Sequence, residues 1–323
     1  MKTIKLSHPQ QLPAEEIADT VLALGYFDGV HKGHQEVMNC AGRLAGELGL
    51  KSAVMTFDPH PSVVLSKQTK AAEYITPLED KIDLVGKLGI DILYIVEFSE
   101  EFASLEPQEF VDQFIIGLKV KHVVAGFDFS YGRLGKGSME TMPFHSRGMF
   151  THTTISKLTD HNRKISSTLI REVIKSGDVA YGASLLGRPH FIRGTVIHGD
   201  KRGRTIGFPT ANIGIELPYI MPPTGVYATT FELNGVVHEG VCNIGYKPTF
   251  KVDKDPAPSI EVHLFQFSSE IYGEKGKLSF FQRIRSEQKF HNVEELIERI
   301  GIDKKLAEEF FQKRRDNPCF LEG

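Results

Sequence analysis

The 323-residue chain has little cysteine and no tryptophan. Its three cysteines, Cys40, Cys242 and Cys319, are scattered, which excludes a disulfide framework and predicts a reducing compartment, the cytoplasm. The first residues have no apolar signal core, and no apolar run approaches membrane-spanning length, so neither export nor membrane insertion is predicted. A formal net charge of −3 argues against general nucleic-acid binding and favours small ligands.

The length of the chain and its composition predict two domains. Hydrophobic residues make up 41% and charged residues 24%, an ordinary globular composition, and 323 residues are many for one core. Near 186–189 the sequence changes from alternating predicted strands and helices to short β-rich segments. We therefore predict domains at 1–187 and 188–323; no motif predicts an oligomeric state.

Apolar runs and helical periodicity alternate in the first half, as in βαβ units. This pattern predicts a parallel sheet wrapped by helices, with ligands bound at the carboxyl ends of the strands. The predicted strands are Val21–Leu24, Ser52–Phe57, Ile92–Val96 and His122–Ala125; predicted helices follow at Gln35–Leu48 and around Phe110–Leu118.

After Gly187 the chain consists of short β-rich segments separated by Gly, Pro and Asn, which predicts an antiparallel barrel or sandwich. One or two closing helices are predicted from Val293 onward. The predicted strands are Phe191–Ile197, Gly225–Glu232, Val236–Asn243, Ile260–Phe267 and Lys277–Arg285.

The most informative stretch is GYFDGVHKGH at Gly25–His34, here named the HxGH loop. It follows a predicted strand and precedes a helix, whose N-terminal amides and dipole favour a polyphosphate. His31 and His34 would then hydrogen-bond phosphate oxygens or stabilise transition-state charge. Two other interpretations are a zinc site, for which His-x-x-His supplies only two ligands, and an ordinary loop.

Two further segments leave predicted strands at the same edge. TFDPHP holds Asp58 and His60 there, and GFDFSYGRLGKG at Gly126–Gly137 interleaves aromatics with glycines, a composition suited to stacking a planar ring. An ordinary turn and a glycine-rich surface loop are the alternatives.

ISSTLIR at Ile165–Arg171 is predicted to open a helix. Ser166 and Ser167 serve there either as helix caps or as phosphate ligands, with Arg171 countering triphosphate charge.

In the second half, GTVIHGDKRGRTIGFPTANI at Gly194–Ile213 joins a strand, a basic glycine-bearing loop and Pro-Thr-Ala-Asn. It is neither a P-loop nor a dinucleotide GxGxxG. The loop amides and the basic side chains would surround phosphates, while Thr210 and Asn212 offer neutral oxygens to magnesium; a solvated basic hairpin is the alternative. The basic residues are Lys201, Arg202 and Arg204.

The HxGH loop with ISSTxxR resembles the nucleotidylyltransferase superfamily, and GYFDGVHKGHQ with TFDPHP resembles its flavin branch. From about Val21 to about Gly301 the chain resembles the bifunctional prokaryotic riboflavin kinase/FAD synthetase family. For the first domain this implies transfer of AMP from ATP to FMN, with magnesium bridging phosphate oxygens.

The resemblance implies roles for individual residues of the first domain. His31 and His34 are expected to bind the ATP phosphates, and Asp128, His60 and Phe129 to lie at the flavin. The remaining ATP-site candidates are Gly25, Phe27, Gly33, Ser166, Ser167 and Arg171.

For the second domain the resemblance implies phosphorylation of riboflavin to FMN. Thr210 and Asn212 would hold Mg-ATP, with Gly203 and Gly207 in the phosphate-covering loop. Strand alternation puts Glu261, His263 and Phe265 on one face, and Glu261 matches the family's general base. Arg285 matches a segment that closes the flavin site.

Two positions depart from the family pattern. Tyr246 replaces a small hydroxyl residue, and Gln266 stands where an aspartate is common. They leave open a monofunctional FAD synthetase with an inactive barrel. Two further alternatives are a nucleotidylyltransferase with another acceptor and a flavin-binding sensor without turnover.

Overall fold

The computed structural model describes residues 1–65, 73–199, 203, 206–246 and 259–317. The chain divides into two compact units, Met1–Ser167 and Thr168–Gly323. The predicted domain boundary at 187/188 rests on the change from alternating strands and helices to short β-rich segments, and it stays a prediction. No helix among the described residues combines the length and apolar character that crossing a bilayer requires.

The first unit contains a six-stranded parallel sheet. Its strands are β1 (Lys2–Leu6), β2 (Thr20–Leu24), β3 (Lys51–Asp58), β4 (Ile92–Glu97), β5 (Val120–Gly126) and β8 (Thr151–Ile155). Their order across the sheet is β1-β4-β3-β2-β5-β8. All four predicted strands of this half are confirmed, whereas β1 and β8, the two edge strands, were not predicted.

Short elements complete the first unit. Two small hairpins pair β6 (Ser130–Tyr131) with β7 (Gly137–Ser138) and β9 (Thr159–Asp160) with β10 (Arg163–Lys164). The helices are α1 (Lys32–Leu48), α2 (Pro61–Leu65), α3 (Leu78–Lys87), α4 (Glu100–Ala103), α5 (Pro107–Phe110) and α6 (Met142–Ser146). The next helix, α7 (Ser167–Ser176), begins at the last residue of the first unit and otherwise belongs to the second. Single 3-10 turns lie at Ala14–Glu16 and Arg133–Gly135.

Helix starts differ from those predicted. Helix α1 begins at Lys32 rather than Gln35, because the His31 side chain caps it. The apolar stretch around Phe110–Leu118 forms α5 followed by a π-helical turn at Val111–Ile116.

Both faces of the sheet are buried. Successive side chains of a strand point to opposite faces, so Leu22 and Leu24 join one core while Val21 and Ala23 join the other. This double burial explains why the central strands are continuous apolar runs. The carboxyl ends of the strands are left to carry the loops.

The second unit contains helix α8 (Val179–Leu186), a closed barrel and helix α9 (Val293–Asp316). The antiparallel strands are β11 (His190–Ile197), β12 (Ala211–Gly214), β13 (Gly225–Leu233), β14 (Val236–Gly245), β15 (Ser259–Leu264) and β16 (Lys275–Ser286). Their order around the barrel is β11-β12-β15-β14-β13-β16. The predicted fold class is confirmed, with β12 the one barrel strand not predicted.

The barrel has an inner and an outer apolar surface. Tyr227, Phe231 and Phe280 fill the interior, while Phe310 and Phe311 of α9 cover Phe281 on the outside. Strand β15 ends at Leu264, before the predicted end at Phe267. Gln266, with a φ of 51°, has left the extended conformation there.

Candidate functional site

The HxGH loop lies where β2 ends at the carboxyl edge of the sheet. His31 is the N-cap of α1: its Nδ1 accepts a hydrogen bond from the His34 amide at 3.2 Å. A neutral His31 ring therefore carries its proton on Nε2. The two imidazoles stack with their centroids 3.5 Å apart, so the motif delivers both rings together to a helix N-terminus.

Close packing sets the backbone of this loop. Phe27 has a φ of 57° and is 3% exposed; its ring meets the His34 ring edge-on at 5.2 Å. A Cβ atom at Gly25 would lie 2.7 Å from the Phe27 ring, and one at Gly33 would lie 3.2 Å from the His31 ring. Both glycines thus let aromatic rings lie against the backbone.

Part of ISSTLIR contacts the same loop. The Ser167 hydroxyl donates to the carbonyl oxygen of Asp28 at 2.8 Å. Ser166 directly precedes α7, which begins at Ser167. Arg171 lies one turn further along α7, in the second compact unit.

His60 of TFDPHP also lies beside the HxGH loop. Its ring meets the Tyr26 ring edge-on at 4.5 Å, and its Nδ1 lies 2.7 Å from the Ser62 hydroxyl. The segment that ends β3 and the loop that follows β2 are therefore adjacent, as their parallel strands predict.

The segment after β5 presents Asp128 and Phe129. The Asp128 side chain is 58% exposed and pairs with the Lys164 ammonium. Phe129 is half-buried and stacks on Tyr131 with centroids 6.2 Å apart. This segment thus combines an exposed carboxylate with an aromatic surface.

The second unit has a pocket of about 440 Å³ beside the start of β12. Thr210, Ala211 and Asn212 form one wall, and Phe267–Tyr272 contributes to another. His263 Nδ1 lies 2.9 Å from the Pro209 carbonyl oxygen. This contact supports the chain just before Thr210. Burial lowers the pKa of His263.

Strand pairing places Glu261 beside Asn212, although Glu261 does not itself line the 440 Å³ pocket. Asn212 on β12 is the direct neighbour of Glu261 on β15, which also pairs with Asn243 on β14. Directly opposed residues of antiparallel strands share a face, so Asn212, Glu261 and Asn243 form one polar row.

Two glycines shape the approach to Thr210. The Gly203 carbonyl oxygen accepts a hydrogen bond from the Phe208 amide at 2.8 Å. A Cβ atom at Gly203 would lie 3.3 Å from the Thr210 hydroxyl oxygen. Gly207 has a φ of 84°, which favours glycine. Lys201, Arg202 and Arg204 lie outside the described residues.

Arg285 is held by the C-terminal helix. Its guanidinium contacts the buried Asp303 carboxylate at 2.8 Å, and Arg299 contacts the same carboxylate at 3.1 Å. Tyr246 is 55% exposed just after β14; neither it nor Gln266 lines the 440 Å³ pocket.

Comparison with known proteins finds one family domain in each half of the chain. The FAD synthetase family model matches residues 14–169, and the riboflavin kinase family model matches 186–311. A bifunctional riboflavin kinase/FMN adenylyltransferase of Bacillus subtilis is 56% identical, with 98% of this chain and 100% of the relative covered. The enzyme of the same description from Listeria monocytogenes is 50% identical over 98% and 100%.

This chain belongs to the bifunctional riboflavin kinase/FMN adenylyltransferase family. The predicted family is thereby confirmed, and the chain contains both of its domains. A crystal structure of a Streptococcus pneumoniae protein described as a macrolide-efflux protein has a TM-score of 0.87 at 33% identity, covering 95% of this chain and 99% of that one. The two chains therefore share the same fold over nearly their whole length.

Sequence reasoning missed a buried charged group behind the HxGH loop. Lys81 on α3 is 2% exposed and donates to the Tyr26 carbonyl oxygen at 3.0 Å and to the Thr56 hydroxyl at 3.1 Å. Burial lowers the pKa of Lys81 to about 8, against the opposing effect of Asp28 and Asp58. The signal was present in the sequence, since Lys81 is three residues after Leu78 on the apolar side of an amphipathic helix.

The Asp28 side chain was also missed. Its carboxylate is buried and accepts hydrogen bonds from the amides of Ile75 at 3.3 Å and Thr76 at 3.0 Å. Asp28 thus connects the HxGH loop to the segment before α3. Among the described residues, no group of three or more His, Cys, Asp and Glu side chains forms a metal cluster.

Proposed function

We propose that this chain makes FAD from riboflavin in two ATP-dependent reactions, one in each family domain. The riboflavin kinase domain transfers the γ-phosphoryl group of ATP to riboflavin, forming FMN and ADP. The FAD synthetase domain transfers AMP from ATP to FMN, forming FAD and pyrophosphate. The observation that carries this proposal is the presence of both family domains in one chain.

In the adenylylation, an oxygen of the FMN phosphate attacks the α-phosphorus of ATP. The bond from that phosphorus to the bridging oxygen breaks, and its electron pair leaves with pyrophosphate. Because FMN supplies the nucleophile, the protein contributes alignment and charge stabilisation. His31 and His34 bind phosphate oxygens in this proposal. The capping bond that leaves a proton on His31 Nε2 supports it, since a neutral ring then donates to an anion.

The other first-domain residues have supporting roles in this proposal. Gly25, Phe27 and Gly33 shape the loop under the phosphates, and Ser166, Ser167 and Arg171 bind the triphosphate and the leaving pyrophosphate. The hydrogen bond from Ser167 to the loop supports this grouping. His60, Asp128 and Phe129 contact the flavin, supported by their positions on segments that follow β3 and β5.

In the kinase reaction, Glu261 takes the proton of the ribityl 5′-hydroxyl as that oxygen attacks the γ-phosphorus, and ADP leaves. The pairing of Glu261 with Asn212 supports this role. The oxygens of Thr210 and Asn212, which line the pocket, are neutral donors of the kind that suits Mg²⁺. When bound there, Mg²⁺ would neutralise phosphate charge.

The remaining kinase residues are proposed to complete the site. Gly203 and Gly207 belong to the loop over the phosphates, and Arg285 supports the flavin segment. The Asp303 carboxylate that holds the guanidinium of Arg285 gives it a defined position.

Chromatography of reaction mixtures tests the proposal. Protein with Mg-ATP and riboflavin should form FMN and then FAD, and with FMN it should form FAD and pyrophosphate. FAD from FMN with none from riboflavin would remove the kinase activity from the proposal. Absence of both products, with oxidised and with reduced flavin, would contradict it.

Metal removal tests the magnesium assignment. EDTA should stop both reactions, and added Mg²⁺ should restore them.

The buried thiols of Cys40 and Cys242 support the proposed location in the reducing cytoplasm.

A further inference from the structure

Lys81 is a buried ammonium group directly behind the HxGH loop. Its Nζ lies 3.0 Å from the Tyr26 carbonyl oxygen, 3.1 Å from the Thr56 hydroxyl and 4.3 Å from the centre of the Tyr26 ring. The Thr56 hydroxyl itself donates to the Tyr26 carbonyl at 2.7 Å. One backbone oxygen therefore receives two hydrogen bonds from neighbouring elements.

That oxygen belongs to the residue at which the chain leaves the sheet for the histidines. The next residue, Phe27, turns with a φ of 57°, and its ring contacts the His34 ring at 5.2 Å. The Tyr26 ring in turn meets the His60 ring at 4.5 Å. A displacement of Tyr26 would thus move groups assigned to both substrates.

A buried charge costs stability, and an apolar side chain of similar size would avoid that cost. Asp28 of the loop and Asp58 at the end of β3 favour the charged form of Lys81, and Asp80 is buried on the same helix. With a pKa of about 8, Lys81 is mostly charged at neutral pH. An ammonium group makes stronger hydrogen bonds than an amine.

We propose that Lys81 is a positioning residue for adenylyl transfer: its ammonium group holds the Tyr26 carbonyl, and with it the start of the HxGH loop, where His31 and His34 can bind ATP. This inference rests on the proposed adenylyltransferase function. It adds a residue outside the sequence motifs to that site.

The test replaces Lys81 by methionine, which keeps the length and removes the charge. The proposal predicts that kcat/KM for FAD formation falls about 100-fold, because small misplacements of catalytic groups cost that much. The kinase rate should not fall, whereas Tm should fall, because the buried Asp28 carboxylate loses a nearby positive charge. The matched control is Lys87→Met, the same substitution at an exposed position of the same helix.

A pH profile separates positioning by charge from simple packing. In the wild type, kcat/KM for FAD formation should decline above pH 8 as Lys81 loses its proton, following its pKa of about 8. In Lys81→Arg, which stays charged, that decline should disappear while activity at neutral pH is largely retained.

Three results would overturn the inference. The first two are an unchanged kcat/KM in Lys81→Met and the same alkaline decline in the wild type and Lys81→Arg. A wild-type protein that forms no FAD would instead contradict the proposed function. Parallel loss of Tm and of both activities in Lys81→Met would show a structural role and also overturn the inference.

Discussion

The two units place their candidate catalytic groups by different means. In the first unit, His31 and His34 are three residues apart, and a helix cap with ring stacking brings them together. In the second unit, Asn212 and Glu261 are distant in the chain, and the register of β12 against β15 makes them neighbours. The positions of His31 and His34 relative to each other are therefore set within one loop and one helix, whereas those of Asn212 and Glu261 depend on strand register.

Loss of the carboxylate at position 261 should affect the barrel alone. Glu261→Gln keeps the shape of the side chain but removes the base, so the kinase kcat should fall by about 100-fold or more. FMN adenylylation, measured on the same preparation, should be unchanged. Glu239→Gln is the control, since Glu239 forms an exposed ion pair with Arg315. A normal kinase rate in Glu261→Gln would exclude Glu261 as the base.

The corresponding change in the first unit separates chemistry from capping. Both His31→Asn and His31→Ala should lower FAD formation by about 100-fold, because each removes the imidazole. Asparagine is a good N-cap and alanine is not, so His31→Ala should be about 1 kcal/mol less stable than His31→Asn. Denaturant unfolding and FAD assays of both variants measure the two effects. Equal activity of His31→Asn and the wild type would leave only the cap as the role of His31.

A third prediction contrasts the acid sensitivity of the units. His190 at the start of β11 is buried beside the Ile220 carbonyl, and burial lowers its pKa from 6.5 to about 4. The unfolded chain therefore binds this proton more tightly than the folded one, and the stabilising contribution present above pH 6.5 is lost as the pH falls toward 4. The loss amounts to about 3 kcal/mol.

The measurement is the unfolding of each unit between pH 7 and pH 4, followed by hydrogen exchange. The barrel should weaken first, and His190→Gln, which retains a donor toward Ile220, should flatten the pH dependence. The same pH dependence in wild type and variant would contradict the assignment to His190.

A small displacement of the His31 ring should have a modest effect on FAD formation. Gly33→Ala places a Cβ atom 3.2 Å from the His31 ring, which must move by a few tenths of an ångström. FAD formation should fall by about threefold, with the kinase unaffected. Gly46→Ala in the same helix is the control, because nothing lies within 4 Å of its added Cβ atom. An unchanged rate in Gly33→Ala would show that the ring position tolerates such a shift.

Sequence patterns predicted the central strands of both sheets because these strands are buried on both faces or alternate clearly. The edge strands β1 and β8 were not predicted because they lack such a pattern. KTIKL and THTTI are exposed along much of their length, so they carry polar residues instead of an apolar run. Strand β12 has only four residues, too few for a periodicity to appear.

The motifs identified the family and the two reactions it implies, and they supplied the candidate residues of both proposed sites, since phosphate chemistry requires particular groups at short spacings. Packing and strand pairing set contacts that the spacing of residues in the sequence does not predict. Tertiary structure buried Lys81 behind Tyr26, turned the Ser167 hydroxyl toward Asp28, and paired Glu261 with Asn212. Each of these contacts joins segments far apart in the chain, and packing and strand register set such contacts.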